Sequence, residues 1–284
     1  MLGPRGPGRH RRASVLSRII SSTANERLKR LRRLRKRRDR DDAGVFLIEG
    51  YREVKRAFEA GVAIEEVYVS PALFLGQNEP ALIAALGAPT HEVAPEPFAS
   101  VATRDRPDGL LAVARQFDTS LSADRLDVAS GPALILVAEG AERPGNLGSM
   151  IRTAAGAGVT AVIAAEPQTD VFAPEVVRAS VGTLFAQPVA VASSAETLAF
   201  LRAHAVGVVT ASPAGEQDYW DVDLAASVAV VVGSEQHGVT PLWLDQADVV
   251  VRIPMAGVDS VNVAAAAAVL LFDAVRQRAA RPQA

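Results

Sequence analysis

The sequence predicts an α/β protein whose larger part is a parallel sheet with helices on both faces. Three observations support this fold class. From residue 133 onward, apolar runs rich in β-branched residues alternate with helical segments, a pattern typical of parallel strands that are covered on both sides. Residues 45–117 carry a second, shorter set of strand and helix patterns. Between the two sets, the pattern weakens over a polar stretch. We therefore expect a flexible basic tail at 1–18, a smaller α/β domain at 19–117, a linker at 118–132 and the larger domain at 133–284.

The individual elements follow from the period of the apolar residues and from flanking glycines and prolines. In the smaller domain we expect strands at 45–48, 64–69, 90–93 and 110–115, and helices at 51–60 and 79–87. In the larger domain we expect strands at 133–138, 159–165, 188–192, 206–212, 228–233 and 248–254. A helix at about 147–157 should follow the first of these strands, and an Ala-rich helix at about 261–278 should end the chain.

The composition excludes several classes of protein. The chain has 284 residues, which is enough for a full hydrophobic core. It contains no cysteine, so a disulfide framework, thiolate catalysis and thiolate-ligated zinc are ruled out. The four histidines are far apart in sequence, and we expect no metal. No apolar run is long enough to span a bilayer. We expect a cytoplasmic protein, with import into mitochondria as the alternative that the Arg-containing, acid-free start leaves open.

The first 40 residues, here called the basic arm, hold half of the positive charge. They contain 15 of the 30 Lys and Arg residues and two acidic ones, which gives +13 against −15 for the rest of the chain. The spacing of Leu28, Leu31 and Leu34 predicts a helix over residues 25–38, with these leucines as a narrow apolar stripe. Such dense positive charge is relieved by a polyanion, although a solvated surface helix is the alternative. The candidate phosphate contacts are Arg27, Lys29, Arg30, Arg32, Arg33, Arg35, Lys36, Arg37 and Arg38.

Three loops stand where a parallel sheet binds its ligands, at the carboxyl ends of predicted strands. The first loop (139–152) has glycines that allow close approach of a ligand, and it places Asn146 six residues before Arg152. It is neither a P-loop nor a G-x-G-x-x-G turn. Taken alone, it could equally be a structural turn that caps a helix.

The second and third loops are also ambiguous when each is taken alone. In the second loop (233–238), Glu235 lies between two glycines and could bind a ligand or cap a helix, and His237 could be a general base or a structural histidine. In the third loop (253–263), Ser260 and Asn262 are strong helix-capping residues. The apolar stretch at its start could instead line a nucleoside pocket.

Together the three loops resemble the signature motifs of the SpoU/TrmH-type RNA 2′-O-methyltransferases of the SPOUT superfamily. The pattern N-x-G-x-x-x-R is met in the first loop and G-x-E-x-x-G in the second. The third loop reads I-P-M followed by S-V-N-V, in the order and spacing of the family. The stretch 45–61 resembles the start of the family's L30e-like RNA-binding domain, so the resemblance extends over about residues 19–278.

This resemblance implies a fold, a cofactor and a partner. The family has a C-terminal trefoil knot, binds S-adenosylmethionine in the knotted loops and works as a homodimer. It carries a methyl group to a ribose 2′-hydroxyl of RNA. The residues implied in cofactor binding are Thr210, Ala211, Ser212, Gly233, Ile253, Pro254, Met255, Val261 and Val263.

The resemblance also implies catalytic roles. Arg152 would activate the 2′-hydroxyl, either as a base or as a clamp on phosphate and developing alkoxide, and free arginine is almost never deprotonated. Asn146 would position Arg152 or the ribose. Glu235, Ser260 and Asn262 would organise the pocket and the RNA backbone.

The reaction that the resemblance implies makes RNA the expected substrate class, because RNA has a 2′-hydroxyl and DNA does not. The basic arm and the N-terminal domain favour 23S ribosomal RNA over transfer RNA. The other functions considered are a transfer RNA methyltransferase, a nonenzymatic RNA-binding protein of the same fold and a nucleotide-binding oxidoreductase. The missing G-x-G-x-x-G turn disfavours the oxidoreductase.

Overall fold

The computed structural model describes residues 19–281, which form two sheets surrounded by helices. The helices are α1 (Glu26–Arg33), α2 (Arg37–Ala43), α3 (Tyr51–Glu59), α4 (Glu79–Leu86), α5 (Pro95–Ala99), α6 (Ala123–Leu126), α7 (Pro144–Gly156), α8 (Pro174–Ala179), α9 (Ser194–Ala203), α10 (Pro241–Asp245) and α11 (Val263–Ala280). The strands are β1 (Val45–Glu49), β2 (Ile64–Val69), β3 (Thr90–Glu92), β4 (Leu110–Arg115), β5 (Leu134–Glu139), β6 (Ala161–Ala165), β7 (Val189–Ala192), β8 (Gly207–Ala211), β9 (Gln217–Asp218), β10 (Val228–Val232) and β11 (Val249–Arg252). The predicted basic tail at 1–18 lies outside the described residues.

The N-terminal sheet has four strands in the order β1-β4-β2-β3. Strand β4 pairs antiparallel with β1 and with β2, and β2 pairs parallel with β3. The four strands predicted for this domain are confirmed, each to within one residue at either end.

The larger sheet has seven strands in the order β7-β6-β5-β10-β8-β11-β9, and every pair in it is parallel. The predicted parallel sheet is therefore confirmed. Several strands are one to three residues shorter than predicted, because apolar residues stay buried beyond the end of the hydrogen-bonded ladder. Val159 is an example: it precedes β6 and is 5% exposed. The carboxyl ends of β8, β10 and β11 lie together at one edge of the sheet.

The predicted helix at 25–38 is two helices, because the chain turns between α1 and α2. The apolar stripe is confirmed, since Leu28, Leu31 and Leu34 are buried against the N-terminal sheet. The turn leaves the carbonyls of Leu34 and Arg35 without helical partners, and the buried side chain of Arg40 donates to both. The break therefore positions a charged residue in the interior, which a solvated surface helix would not do.

Residues 118–132 do more than connect the two sheets. They include the short helix α6, and Leu126 and Val128 are buried against one face of the larger sheet. This stretch therefore contributes to the core that covers the sheet. The domain boundaries themselves stay a prediction.

The two domains are in direct contact. Phe46 of β1 packs on Phe172 and Phe185 of the larger domain, with ring centroids 5.0 and 6.1 Å apart, and on Phe117 of its own domain. Beside this aromatic cluster, Arg40 donates to Asp170 through Nε at 3.0 Å and Nη2 at 2.5 Å. A buried ion pair of this kind depends on both partners, because either charge alone would be left without water. The domains are thus held in one relative position.

Each of the two helices that flank the predicted site begins at a residue suited to a helix start. Helix α7 begins at Pro144, three residues earlier than predicted, because a proline is tolerated at the first helical position. Asn146 therefore lies in the first turn of α7. Helix α11 begins after Asn262, whose side chain accepts from the backbone N of Ala264. The capping interpretation of Asn262 is confirmed.

The C-terminal trefoil knot stays a prediction. Within residues 19–281, no helix has both the length and the apolar character needed to cross a bilayer.

Candidate active site

A cavity of about 690 Å³ opens at the carboxyl ends of β8, β10 and β11. Its volume lies in the range of small-molecule sites. Seven of the predicted cofactor residues line it: Ala211, Ser212, Gly233, Ile253, Met255, Val261 and Val263. Two do not. Thr210 is fully buried and donates to the carbonyl of Trp243 at 3.0 Å, and Pro254 lies beside the cavity without lining it.

Glu235 joins the second loop to the first. Its carboxylate accepts from the backbone N of Glu142 at 3.2 Å and of Arg143 at 3.3 Å. It also accepts from the side-chain amide of Asn146 at 2.6 Å. The carboxylate therefore satisfies amides at the N-terminus of α7, where the helix dipole favours negative charge.

Asn146 extends this connection to the third loop. While its Nδ2 donates to Glu235, its Oδ1 accepts from the Nδ2 of Asn262 at 3.1 Å. Asn262 in turn caps α11. One amide thus links all three loops, and its donor and acceptor are both used.

The hydrogen bonds fix the charge state of Glu235. Partial burial would raise its pKa, but the bonds from Asn146 and from the backbone of Glu142 and Arg143 outweigh burial and hold the pKa below its ordinary value. Glu235 is therefore ionised at neutral pH. It acts here as an acceptor that holds the loops, rather than as a proton donor.

The second loop is tightly closed around Gly233. The backbones of Ser234 and Gly238 pair in both directions, at 2.9 and 3.1 Å. A Cβ at Gly233 would lie 2.0 Å from the carbonyl carbon of Gly238, so no side chain fits. His237 is exposed at the rim of the cavity, with its backbone N bonded to Ser234 Oγ at 3.1 Å.

The remaining predicted catalytic residues lie at different distances from the cavity. Ser260 is exposed and lines it. Arg152 is exposed on α7 and does not line it. Six residues of α-helix correspond to a rotation of about 240° and a rise of about 9 Å, so Arg152 and Asn146 lie on different faces. Arg143, at the start of α7, is the arginine that lines the cavity.

Comparison with known proteins identifies the family of this chain. Residues 133–272 match the model of the SpoU rRNA Methylase family, and residues 25–112 match that of the MRM3-like substrate binding domain. The chain is 36% identical over 235 residues to the 23S rRNA (guanosine-2'-O-)-methyltransferase RlmB of Bordetella pertussis, an alignment that covers 79% of this chain and 94% of the relative. The chain belongs to the SpoU rRNA methylase family.

Solved structures are similar to this chain over about nine-tenths of its length. A crystal structure of an RNA 2'-O ribose methyltransferase is 42% identical with a TM-score of 0.82, and the match covers 92% of this chain and 99% of that one. An AdoMet-bound rRNA methyltransferase from Sinorhizobium meliloti is 30% identical with a TM-score of 0.81, covering 90% and 97%. The predicted fold class, a parallel-sheet SPOUT domain with a smaller N-terminal domain, is confirmed.

The glycines of the first SpoU motif have separate roles. At Gly148, a Cβ would lie 2.6 Å from both the Cβ of Ala179 and the carbonyl oxygen of Val176. This glycine therefore lets α7 pack closely on α8, and it does not serve a ligand. At Gly145, a Cβ would meet nothing within 4 Å.

Beneath the cavity lies a buried polar group that the sequence patterns did not reveal. Glu139, at the end of β5, accepts from the backbone N of Thr240 at 2.8 Å and from its hydroxyl at 2.6 Å. It also accepts from Ser194, whose hydroxyl oxygen receives the indole N–H of Trp243 at 3.1 Å. This network fixes α10 under the second loop. An acidic residue at the end of a buried strand was the available signal.

The described part of the basic arm, residues 19–40, is largely engaged with the protein itself. Arg27, Lys29, Arg30, Arg37 and Arg38 form ion pairs with nearby carboxylates, the shortest being Lys29–Glu26 at 2.7 Å and Arg30–Glu66 at 2.8 Å. Arg32 and Arg35 donate to Ser100 and to the carbonyl of Ala102. Within residues 19–281, the side chains of Arg33 and Lys36 have no hydrogen-bond or ion-pair partner. Among the described cations of the arm, these two are the ones available to another molecule.

Within residues 19–281, no group of three or more histidines or acidic residues is placed to hold a metal ion.

Proposed function

We propose that the protein transfers a methyl group from S-adenosylmethionine to a ribose 2′-hydroxyl of 23S ribosomal RNA. The observation that carries the proposal is the meeting of the three SpoU loops, through Asn146, at one cavity of about 690 Å³. The chain is an S-adenosylmethionine-dependent RNA 2′-O-methyltransferase of the SpoU family. The 23S substrate rests on the relative from Bordetella pertussis, which acts on a guanosine of that RNA.

The walls of the cavity suit S-adenosylmethionine. Val239, Leu244, Ile253 and Met255 offer apolar surface for a purine, and Gly233 lines the same cavity without a side chain of its own. Ser260 and Asn262 offer polar groups at the same cavity. When bound, S-adenosylmethionine supplies an electrophilic methyl group on a sulfonium.

The protein's own contribution is to align and activate the nucleophile. A ribose hydroxyl is weakly nucleophilic at neutral pH, so its orientation toward the methyl group supplies a large part of the rate increase. We assign Arg152 to the substrate, as a clamp on the phosphate and on the developing negative charge. This role suits a guanidinium, which keeps its proton. Asn146, Glu235 and Asn262 hold the loops in register, and Ser260 contacts the substrate side of the cavity.

We also propose that the enzyme is a cytoplasmic homodimer that contacts RNA through its basic arm. Support for a second subunit comes from α11, where Val269 and Phe272 are 37% and 51% exposed. Apolar side chains grouped in this way are stabilised by burial in an interface. The domain plan proposed is a tail at 1–18, an RNA-binding domain at 19–117, a linker at 118–132 and the methyltransferase domain at 133–284.

The test is methyl transfer from labelled S-adenosylmethionine to unmodified 23S and transfer RNA transcripts, followed by nucleoside analysis. We expect a 2′-O-methylnucleoside in 23S RNA with the wild type and none with Arg152→Ala. Label in transfer RNA alone would show that transfer RNA is the substrate. Binding of RNA without any transfer, even though S-adenosylmethionine binds, would indicate a nonenzymatic RNA-binding protein.

A further inference from the structure

The protein beyond the basic arm is acidic, and most of its cations are already neutralised. Residues 41–281 contain 15 Lys and Arg residues in a segment whose charge is strongly negative. Eight of them are ion-paired: Lys55, Arg104, Arg115, Arg125, Arg202, Arg252, Arg276 and Arg281. Arg278 donates to four backbone carbonyls. The six that remain without a carboxylate are Arg52, Arg56, Arg106, Arg143, Arg152 and Arg178.

Four of these six arginines lie on the seam between the two domains, and we call them the seam strip: Arg52, Arg56, Arg106 and Arg178. Arg178 of α8 donates to the carbonyl of Thr103, at 3.2 Å, in the loop that also carries Arg106. The same loop is tied to the start of α3, because the backbone N of Tyr51 donates to Asp108 at 2.8 Å. Arg52 is the next residue of that helix. The seam strip is therefore one surface formed by α3, α8 and the 103–109 loop.

The far side of the same loop touches the basic arm. Arg35 donates to the carbonyl of Ala102 at 2.6 Å, and Arg32 donates to Ser100 Oγ at 3.0 Å. The turn between α1 and α2, with its free cations Arg33 and Lys36, thus lies beside the loop that carries Arg106. The arm and the seam strip adjoin each other.

The other end of the seam strip approaches Arg152. Helix α8 packs on α7 at Gly148, whose Cβ direction points at Ala179, the neighbour of Arg178. Arg152 lies one turn further along the same side of α7, because residues four apart in a helix share a face. Arg56 of α3 donates to the carbonyl of Val181, two residues beyond the end of α8.

We propose that the seam strip binds the phosphodiester backbone of the RNA substrate and guides it from the basic arm to Arg152. This inference rests on the proposed function for the class of RNA. Guanidinium groups that have no carboxylate partner are suited to phosphate, because they present several N–H donors in a plane. The exposed carboxylates of Asp105 and Glu175 lie next to the strip in sequence and leave it with a positive excess.

The deciding variant is Arg52→Gln combined with Arg106→Gln. Within the described residues, neither side chain makes a hydrogen bond or an ion pair, so the fold does not depend on them. Each phosphate contact contributes about 0.7 to 0.9 to the slope of log K against log salt. Loss of two contacts should lower that slope by about 1.4 to 1.8 and weaken RNA binding roughly 15- to 30-fold at 0.15 M salt.

The control is Arg115→Gln combined with Arg276→Gln, which removes the same number of positive charges from exposed arginines away from the seam, each of which is paired with a carboxylate. Binding of an unmodified 23S transcript is measured by filter retention between 0.05 and 0.3 M salt, beside methyl transfer and S-adenosylmethionine titration. We expect a raised KM for RNA, an unchanged kcat and unchanged S-adenosylmethionine affinity in the seam variant. The control should match the wild type.

A seam variant with the slope and affinity of the control would overturn the proposal while leaving the methyltransferase function intact. If the wild type methylates no RNA, the proposed function fails instead, and the salt slope still decides whether the strip binds phosphate. Adding Arg178→Gln should lower the slope further. If that variant loses thermal stability, the result for the double variant stands by itself.

Discussion

Replacing Gly148 by alanine should force α7 away from α8, whereas the same change at Gly145 should leave their packing unaltered. The new Cβ at position 148 would lie 2.6 Å from the carbonyl oxygen of Val176 and 2.9 Å from the backbone N of Ser180. Ordinary Cβ contacts begin at about 3.4 Å, so the backbone of α8 must retreat by up to about 0.8 Å. Overpacking of this kind costs about 1–3 kcal/mol.

The Gly145 variant separates this steric effect from helix propensity. Both glycines lie in α7, and alanine favours a helix by up to about 1 kcal/mol relative to glycine. At Gly145 only that gain remains, since the new Cβ meets nothing within 4 Å. We therefore expect the Gly148 variant to be less stable than the Gly145 variant by about 2 kcal/mol, or roughly 4–8 °C in Tm.

Differential scanning calorimetry of the two variants and the wild type measures this difference. Methyl transfer assayed in parallel should fall in the Gly148 variant, because α7 carries both Asn146 and Arg152. Equal rises in Tm for the two variants would refute the reasoning, since they would show that α8 yields without cost.

Four further results are expected. Asn146→Ala removes a hydrogen bond to a charged group, worth about 1.5–3 kcal/mol, so the S-adenosylmethionine Kd in calorimetric titration should rise about 10- to 100-fold; an unchanged Kd would show that the loops hold together without this amide. The pKa of Glu235 is lowered on folding, so its stabilising charge is fully present above the ordinary glutamate pKa of about 4.3 and is lost as pH falls through the lower folded value. S-adenosylmethionine affinity should therefore hold down to about pH 4.3 and fall only below it. Glu235→Gln should weaken binding at neutral pH and make the affinity less dependent on pH in the acid range. Gly233→Ala should abolish binding while the circular dichroism spectrum stays native, because the clash lies within one loop; retained binding would mean that the loop can open. Asp170→Ala leaves Arg40 buried without its carboxylate and should lower the free energy of unfolding by about 3–5 kcal/mol in urea titrations, with a small loss indicating that water reaches the guanidinium.

The regular elements were predictable because each depends on local periodicity. Strands such as β2 and β4 agree with the sequence to the residue, since their apolar runs are bounded by turn residues. The break between α1 and α2 was not predictable, because it depends on Arg40 pairing with Asp170, 130 residues away in sequence. The burial of Leu126 and Val128 depends in the same way on a sheet surface formed later in the chain.

The site was predictable as three separate loops but not as one connected unit. Spacing identified Asn146, Glu235 and Asn262 individually, while their shared hydrogen bonds depend on tertiary structure. From the sequence alone, all the glycines of the first loop were expected to allow close approach of a ligand. Only the packing distinguishes Gly148, which faces α8, from Gly145, which faces open space.

The basic arm shows why a charge count alone cannot locate a phosphate-binding surface. The arm has the highest density of arginine in the chain, yet most of the described ones bind carboxylates or carbonyls of the protein. A phosphate that displaced such a partner would gain one ion pair and lose another, so the net gain would be small. An unpaired arginine incurs no such loss. The cations that matter most for RNA should therefore be the unpaired ones, Arg33 and Lys36 in the arm and Arg52 and Arg106 in the seam strip beside it, even though the seam lies in an acidic part of the sequence.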